Sequence, residues 1–150
     1  MSKLRQPNGD DHPEAARKHL NDATALDRNG RPDGASYLAG YVVECSLKAA
    51  ILLEKEASGV ISPQWRGPGG HDLAKLVSEL STASAVAGPR TARYLTPAVT
   101  SLSSAAIAAW TPNMRYRAPS MPGPDAARWL SEARLVYQAT VEQMFLDGVL

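Results

Sequence analysis

Residues 41–53 read YVVECSLKAAILL, an apolar stretch interrupted by an acid, Glu44, and a base, Lys48, four positions later. At about 100° per residue, Tyr37, Tyr41, Glu44, Lys48 and Lys55 share roughly 60° of one helix surface, and apolar side chains cover nearly all the rest. This narrow polar seam has two readings. If it faces water, Glu44 and Lys48 form an ordinary i,i+4 pair contributing about 0.2–0.5 kcal/mol. If it is buried, each charge must be paired and hydrogen-bonded, because an isolated buried ion is far too costly. The partners on offer lie in two Gly- and Pro-rich connectors, 57–70 and 111–123, which carry Arg66, Arg115 and Arg117, with His71 just beyond the first. An imidazole that exchanges protons near neutral pH, next to guanidinium forks, suits the handling of a phosphate anion. Arg beside an aromatic, as in QWRG and MRYR, is also a common surface stacking pair.

Those groups must be positioned by helices. Strand signals are nearly absent, while a 3.6-residue period recurs in five places separated by Gly and Pro clusters, which predicts an all-α, five-helix bundle. The first helix follows Asp10-Asp11, takes Pro13 into its first turn, and stops at Asn29-Gly30, with Ala16, Leu20, Ala23 and Leu26 inward. The second opens with Asp33 as N-cap and runs to about Glu56, past a lone breaker, Gly40. Only RNGRPD separates the two, so they form an antiparallel helical hairpin. A third helix opens near His71-Asp72 and turns Leu73, Leu76, Val77 and Leu80 inward. Asp72 there complements the helix dipole. A fourth lies between Gly88-Pro89 and Trp110, with Leu95, Val99, Leu102, Ala106 and Ala109 inward; Pro97 interrupts its ladder, making 89–95 a separate turn. The last starts at Pro124 and buries Ala126, Trp129, Leu130, Ala133, Tyr137, Val141 and Met144.

Composition narrows the function classes. The 150 residues, 44% apolar and 21% charged, suit one domain over 13–150 behind a flexible leader, 1–12. No apolar run approaches the roughly 20 residues of a bilayer span, which argues against a membrane protein. The N-terminus lacks the apolar core of a secretory signal, and the single cysteine, Cys45, reads as a core residue; both point to the cytoplasm. A net charge of +1 is too weak a field to gather nucleic acid, so any anion site is local. His12, His19 and His71 fall in no metal-ligand grouping, and there is no P-loop, dinucleotide fingerprint or G-x-S-x-G turn, so neither metal nor cofactor is expected.

The order of the elements LNDATALDRNGRPDGASYLAGYVVECSLKAAI, GHDLAKL and W…MRY resembles the HEPN domains of prokaryotes, over roughly residues 18–145. The shared features are a helix of small and aromatic residues carrying E-x3-K, a downstream H-D-L and a terminal R-Y. The resemblance implies an all-α bundle, usually a homodimer, serving toxin–antitoxin, defence or stress systems, often beside a partner nucleotidyltransferase. Many such domains are metal-independent endoribonucleases whose motif is Arg, four to six residues, then His. RGPGGH puts Arg66 and His71 in that spacing, and RQPNGDDH does the same for Arg5 and His12. About 0.7 such pairs are expected by chance, so position must choose between them. Arg5 and His12 lie in the polar leader; Arg66 and His71 stand where a Gly-rich loop enters a helix, which favours an anion. On this basis Arg66 and His71 are the candidate catalytic pair. Lys48, Arg115, Tyr116 and Arg117 are candidates for nucleotide or RNA binding, and Glu44, Tyr41 and Asp72 for support. Two functions stay open: an endoribonuclease, and a non-catalytic module holding nucleotide, RNA or the nucleotidyltransferase, in which the His71 ring simply bonds to Glu44.

Overall fold

A computed structural model describes residues 1–58, 68–86 and 90–150. The longest apolar stretch is the central rod, α2 (Pro32–Ser58), and α1 (His12–Arg28) lies along it as the other arm of the hairpin. Local chemistry sets the bounds of α1. The Asp11 carboxylate accepts from the Glu14 N–H at 3.3 Å, Pro13 occupies the first turn, and Gly30 adopts φ +65° just past the end. Ala16 and Ala23 are fully buried against α2, with Leu20 and Leu26 half-buried.

A 3₁₀ turn, Pro68–His71, leads into α3 (Leu73–Val86), which Asp72 caps by accepting the Lys75 N–H at 3.0 Å. The chain then departs from the expected fourth helix. Residues 92–116 are a run of short turns: 3₁₀ at Ala92–Tyr94, α4 (Pro97–Thr100), then 3₁₀ at Leu102–Ser104, Ala106–Ala109 and Pro112–Tyr116. Pro97 holds Thr96 extended, at ψ 168°, and brings no N–H to a preceding turn. The tighter three-residue repeat then buries Ile107 and Trp110, leaving Ala106 half-buried and Ala109 exposed.

A segment without a helical ladder must satisfy its N–H groups elsewhere. Here carboxylates from the long helices do so. Glu54 of α2 accepts from the Thr91 N–H at 3.0 Å and its hydroxyl at 2.6 Å. Glu132 accepts from the Ala106 and Ile107 N–H groups at 3.2 and 2.8 Å, and Asp33 from those of Ser120 and Met121 at 2.8 and 3.0 Å. Asp33 therefore sits in the first turn of α2 as an anchor for a distant loop, not as the expected N-cap.

The last rod begins as α5 (Gly123–Tyr137), passes through a π turn at Gln138–Glu142 and ends as α6 (Gln143–Leu146). The wider turn shifts the stripe, so Val136 and Thr140 are buried with Val141 and Met144 while Tyr137 is only half-buried. With α5–α6 counted as one rod, the described residues form an all-α bundle of five helices.

Two expectations change. Residues 1–11 are not a loose leader: Leu4 is 1% exposed within the core, and Ser2 donates from its N–H and hydroxyl to Asp11 at 2.8 and 2.7 Å. Residues Pro32–Lys55 are also long and apolar enough to cross a membrane, contrary to the reading of the apolar runs. Because 83% of its apolar 18-residue window is buried inside the bundle, its apolarity is already used in packing against α1, α3 and α5.

Candidate functional site

The helical repeat of α2 sets Glu44 and Lys48 one turn apart, and both are buried, at 4% and 5% exposure. Lys48 Nζ donates to Glu44 Oε1 at 2.7 Å. His71, carried in by the turn before α3, places Nδ1 2.8 Å from Glu44 Oε2. One carboxylate thus joins an ammonium below to an imidazole above. Farther along the seam, Lys55 pairs with Glu79 of α3. The seam faces α3 and its leading turn, which corrects the water-facing reading.

Tyr41 braces this group. Its ring stands edge-on to His71, centroids 6.2 Å apart, and lies 5.0 Å from Trp110, 5.2 Å from Tyr37 and 5.5 Å from His19. Burial, then the 3.2 Å bond to the Tyr37 hydroxyl, raises the Tyr41 pKa and keeps it a neutral phenol. Burial, then the Lys48 charge, lowers the pKa of His12; burial, then Lys18, lowers that of His19. The Cys45 thiol is pushed up to about 12 by burial and then by Glu44, in keeping with a core role.

Above the buried pair the His71 side chain is 36% exposed and lines a cleft of about 920 Å³ with Asp72, Ser78, Trp110, Asn113 and Arg115. The far wall is pinned at both ends. Trp110 Nε1 donates to the Tyr37 carbonyl at 2.9 Å, and its indole lies so close to Gly40 that a Cβ there would fall 2.1 Å from it. At the other end Asp33 holds Ser120 and Met121. Between them, Thr111 caps the 3₁₀ turn by accepting the Asn113 N–H at 3.0 Å, and the turn presents Arg115. The exposed Arg115 guanidinium stands 4.8 Å from the centre of the Tyr116 ring. Bonding to Tyr116, then Tyr37, raises its pKa, so its charge is secure.

Compared with protein-family models, curated proteins and solved structures, the chain matches none.

The chemistry of the site is specific. A carboxylate can only accept, so with Glu44 Oε1 taking the Lys48 hydrogen bond, the contact on Oε2 is met by an N–H at His71 Nδ1. Nε2 is left as the ring atom that can take a proton and return it. A carboxylate that orients an imidazole in this way is the arrangement expected of a general base. Arg115, on the same cleft, offers a fixed positive fork to an anion.

The structure brings together His71, Asp72 and Arg115 on the cleft, with Glu44 and Tyr41 behind. Arg66 lies outside the described residues. Lys48 cannot serve as a binding residue, because it is buried and committed to Glu44. Arg117 turns away and lines a separate hollow of about 170 Å³ with Asp33 and Met114. Asp72 acts as the α3 cap as well as lining the cleft. The alternative pair is not on the cleft: Arg5 is exposed near the N-terminus and His12 opens α1. Among the described residues no group of three or more His, Cys, Asp or Glu could hold a metal. Sequence reasoning missed Trp110 and Asn113 as cleft walls, since their positions depend on the irregular turns. The one signal was Gly40, a small residue in the middle of a long helix.

Proposed function

We propose that the chain is a HEPN-like protein that cleaves RNA without a metal, with His71 as general base and Arg115 as the phosphate anchor. The observation that carries this is a cleft-lining imidazole whose Nδ1 is tied to the buried Glu44 carboxylate, on a cleft that an exposed guanidinium also lines. In the reaction, the 2′-oxygen attacks phosphorus while its proton passes to His71 Nε2. The P–O5′ bond breaks, solvent protonates the leaving 5′-oxygen, and a 2′,3′-cyclic phosphate remains. Arg115 stabilises the negative charge that grows on the non-bridging oxygens. Glu44, bonded to Nδ1, holds the ring in one orientation while Nε2 takes the proton. On the same resemblance, the setting would be a cytoplasmic homodimer in a toxin–antitoxin, defence or stress system, paired with a nucleotidyltransferase.

The test is incubation of a single-stranded RNA with excess protein in EDTA, followed by end-group analysis. Cyclic-phosphate ends that disappear with His71→Ala and fall at least tenfold with Arg115→Ala are the expected result. No cleavage by the parent, or undiminished cleavage by His71→Ala, refutes it.

A second reading is favoured by the closure of the ion network. Both Glu44 oxygens are occupied, one by Lys48 and one by His71, so the cluster is also a complete structural unit. In that case the cleft holds nucleotide, RNA or the partner without reaction. Retained binding with no cleavage distinguishes it.

A further inference from the structure

The most exposed aromatic ring among the described residues is Tyr116, at 76%. Of the other large exposed apolar groups, Met1 is at the N-terminus and Leu135, Phe145 and Leu146 lie on the last rod, while Tyr116 directly follows Arg115, which lines the cleft. Its immediate neighbours divide between two hollows. Asn113 and Arg115 face the cleft of His71; Met114 and Arg117 face the smaller hollow beside Asp33. Tyr116 itself lines neither hollow; in sequence it lies between Arg115 of the cleft and Arg117 of the smaller hollow, and the Arg115 guanidinium stands 4.8 Å from its ring centre.

We propose that Tyr116 is a stacking platform for an unpaired nucleobase, so that the cleft selects single-stranded over duplex RNA. Three physical points carry this. An aromatic face left in water is costly to expose yet ready to stack, and every base offers a π-face to it. A base inside a duplex has both faces covered, so only an unpaired base can use the platform. The platform is also held in place: Trp110 is bonded to the Tyr37 carbonyl, and Ser120 and Met121 to Asp33, so the intervening turn is fixed before any ligand arrives. A strand whose phosphate sits on Arg115 next to His71 would lay its adjoining base on Tyr116 and continue towards Arg117. The inference rests on the RNA reading above and specifies which form of RNA that reading requires.

The test uses a fluorescein-labelled ten-nucleotide RNA, 2′-O-methylated against cleavage, as a single strand and annealed to its complement, with binding followed by anisotropy. Tyr116→Ala is expected to weaken single-strand binding about tenfold, Tyr116→Phe to stay within about twofold of the parent, and the weaker duplex binding to be indifferent to either. If Tyr116→Ala binds the single strand as the parent does, or loses both forms equally, the platform is overturned while the RNA reading stands. If the parent binds neither form, both fall together.

Discussion

Replacing Glu44 with Leu gives the sharpest account of what the seam is worth. The side chains of Glu44 and Lys48 are only 5% and 6% exposed, so the change takes the Glu44 carboxylate away from a buried ammonium and removes the acceptor of His71. Breaking a buried pair from one side costs about 3–5 kcal/mol, against about 0.2–0.5 kcal/mol for the same pair in water. A domain of this size has about 5–15 kcal/mol in total, so Glu44→Leu should fold but with much of its margin gone. Removing both charges, as Glu44→Leu with Lys48→Met, should recover most of the loss and lie within about 1–2 kcal/mol of the parent. Equilibrium urea unfolding at pH 7.5, followed by circular dichroism at 222 nm, measures the parent, the Glu44→Leu and Lys48→Met singles and the double variant. A single-variant cost under about 1 kcal/mol, or a double variant as weak as the sum of the two singles, refutes the buried network.

Other consequences follow from particular contacts. Gly40→Ala drives a methyl into the Trp110 indole and should cost at least about 1–3 kcal/mol while exposing the indole, seen as red-shifted tryptophan emission; an unchanged spectrum and urea midpoint contradict it. His12 and His19 both have pKa values lowered from 6.5, so unfolding takes up protons between that value and their lower folded ones. Their contribution is therefore complete above about pH 6.5 and lost as pH falls below it. The urea midpoint should drop between pH 7.5 and 5.5, and less so in a His12→Asn, His19→Asn double variant; equal drops would remove these two residues from the account. Cys45, its thiol pushed up to about 12 and its side chain buried, should react with a thiol reagent at pH 8 only after urea is added. Rapid labelling of the folded protein would show that the hairpin opens there.

What the sequence made legible divides by range. The bounds of α1 follow from Asp11, Pro13 and Gly30, each acting within a turn of itself, and they read correctly. The acid and base of α2 were visible at once as an anomaly in an apolar run, but their burial depends on how α3 and its leading turn dock, which no local pattern encodes. The segment 92–116 was misread because a 3.6-residue period was laid over turns that repeat every three residues, and because its Ala106 and Ile107 N–H groups are satisfied by Glu132, with the flanking Thr91, Ser120 and Met121 held by Glu54 and Asp33. Gly40 reads locally as a weak point; its reason is Trp110, brought from the far connector. Of the site, His71 with Glu44 was reachable from the sequence because a buried acid needs a partner. Lys48 was assigned to binding for its charge, and the same charge is what commits it to Glu44.

The central claim is that Glu44 holds His71 as a proton-transfer group facing bound RNA. Long-range ¹H–¹⁵N NMR of the histidine rings tests it directly, with a 2′-deoxy oligonucleotide as a non-cleavable ligand. The account predicts a neutral His71 protonated on Nδ1, with its Nε2 resonance shifting as the oligonucleotide is added and the Nδ1 proton signal lost in Glu44→Leu. A His71 protonated on Nε2, or one whose resonances ignore the oligonucleotide, would contradict it.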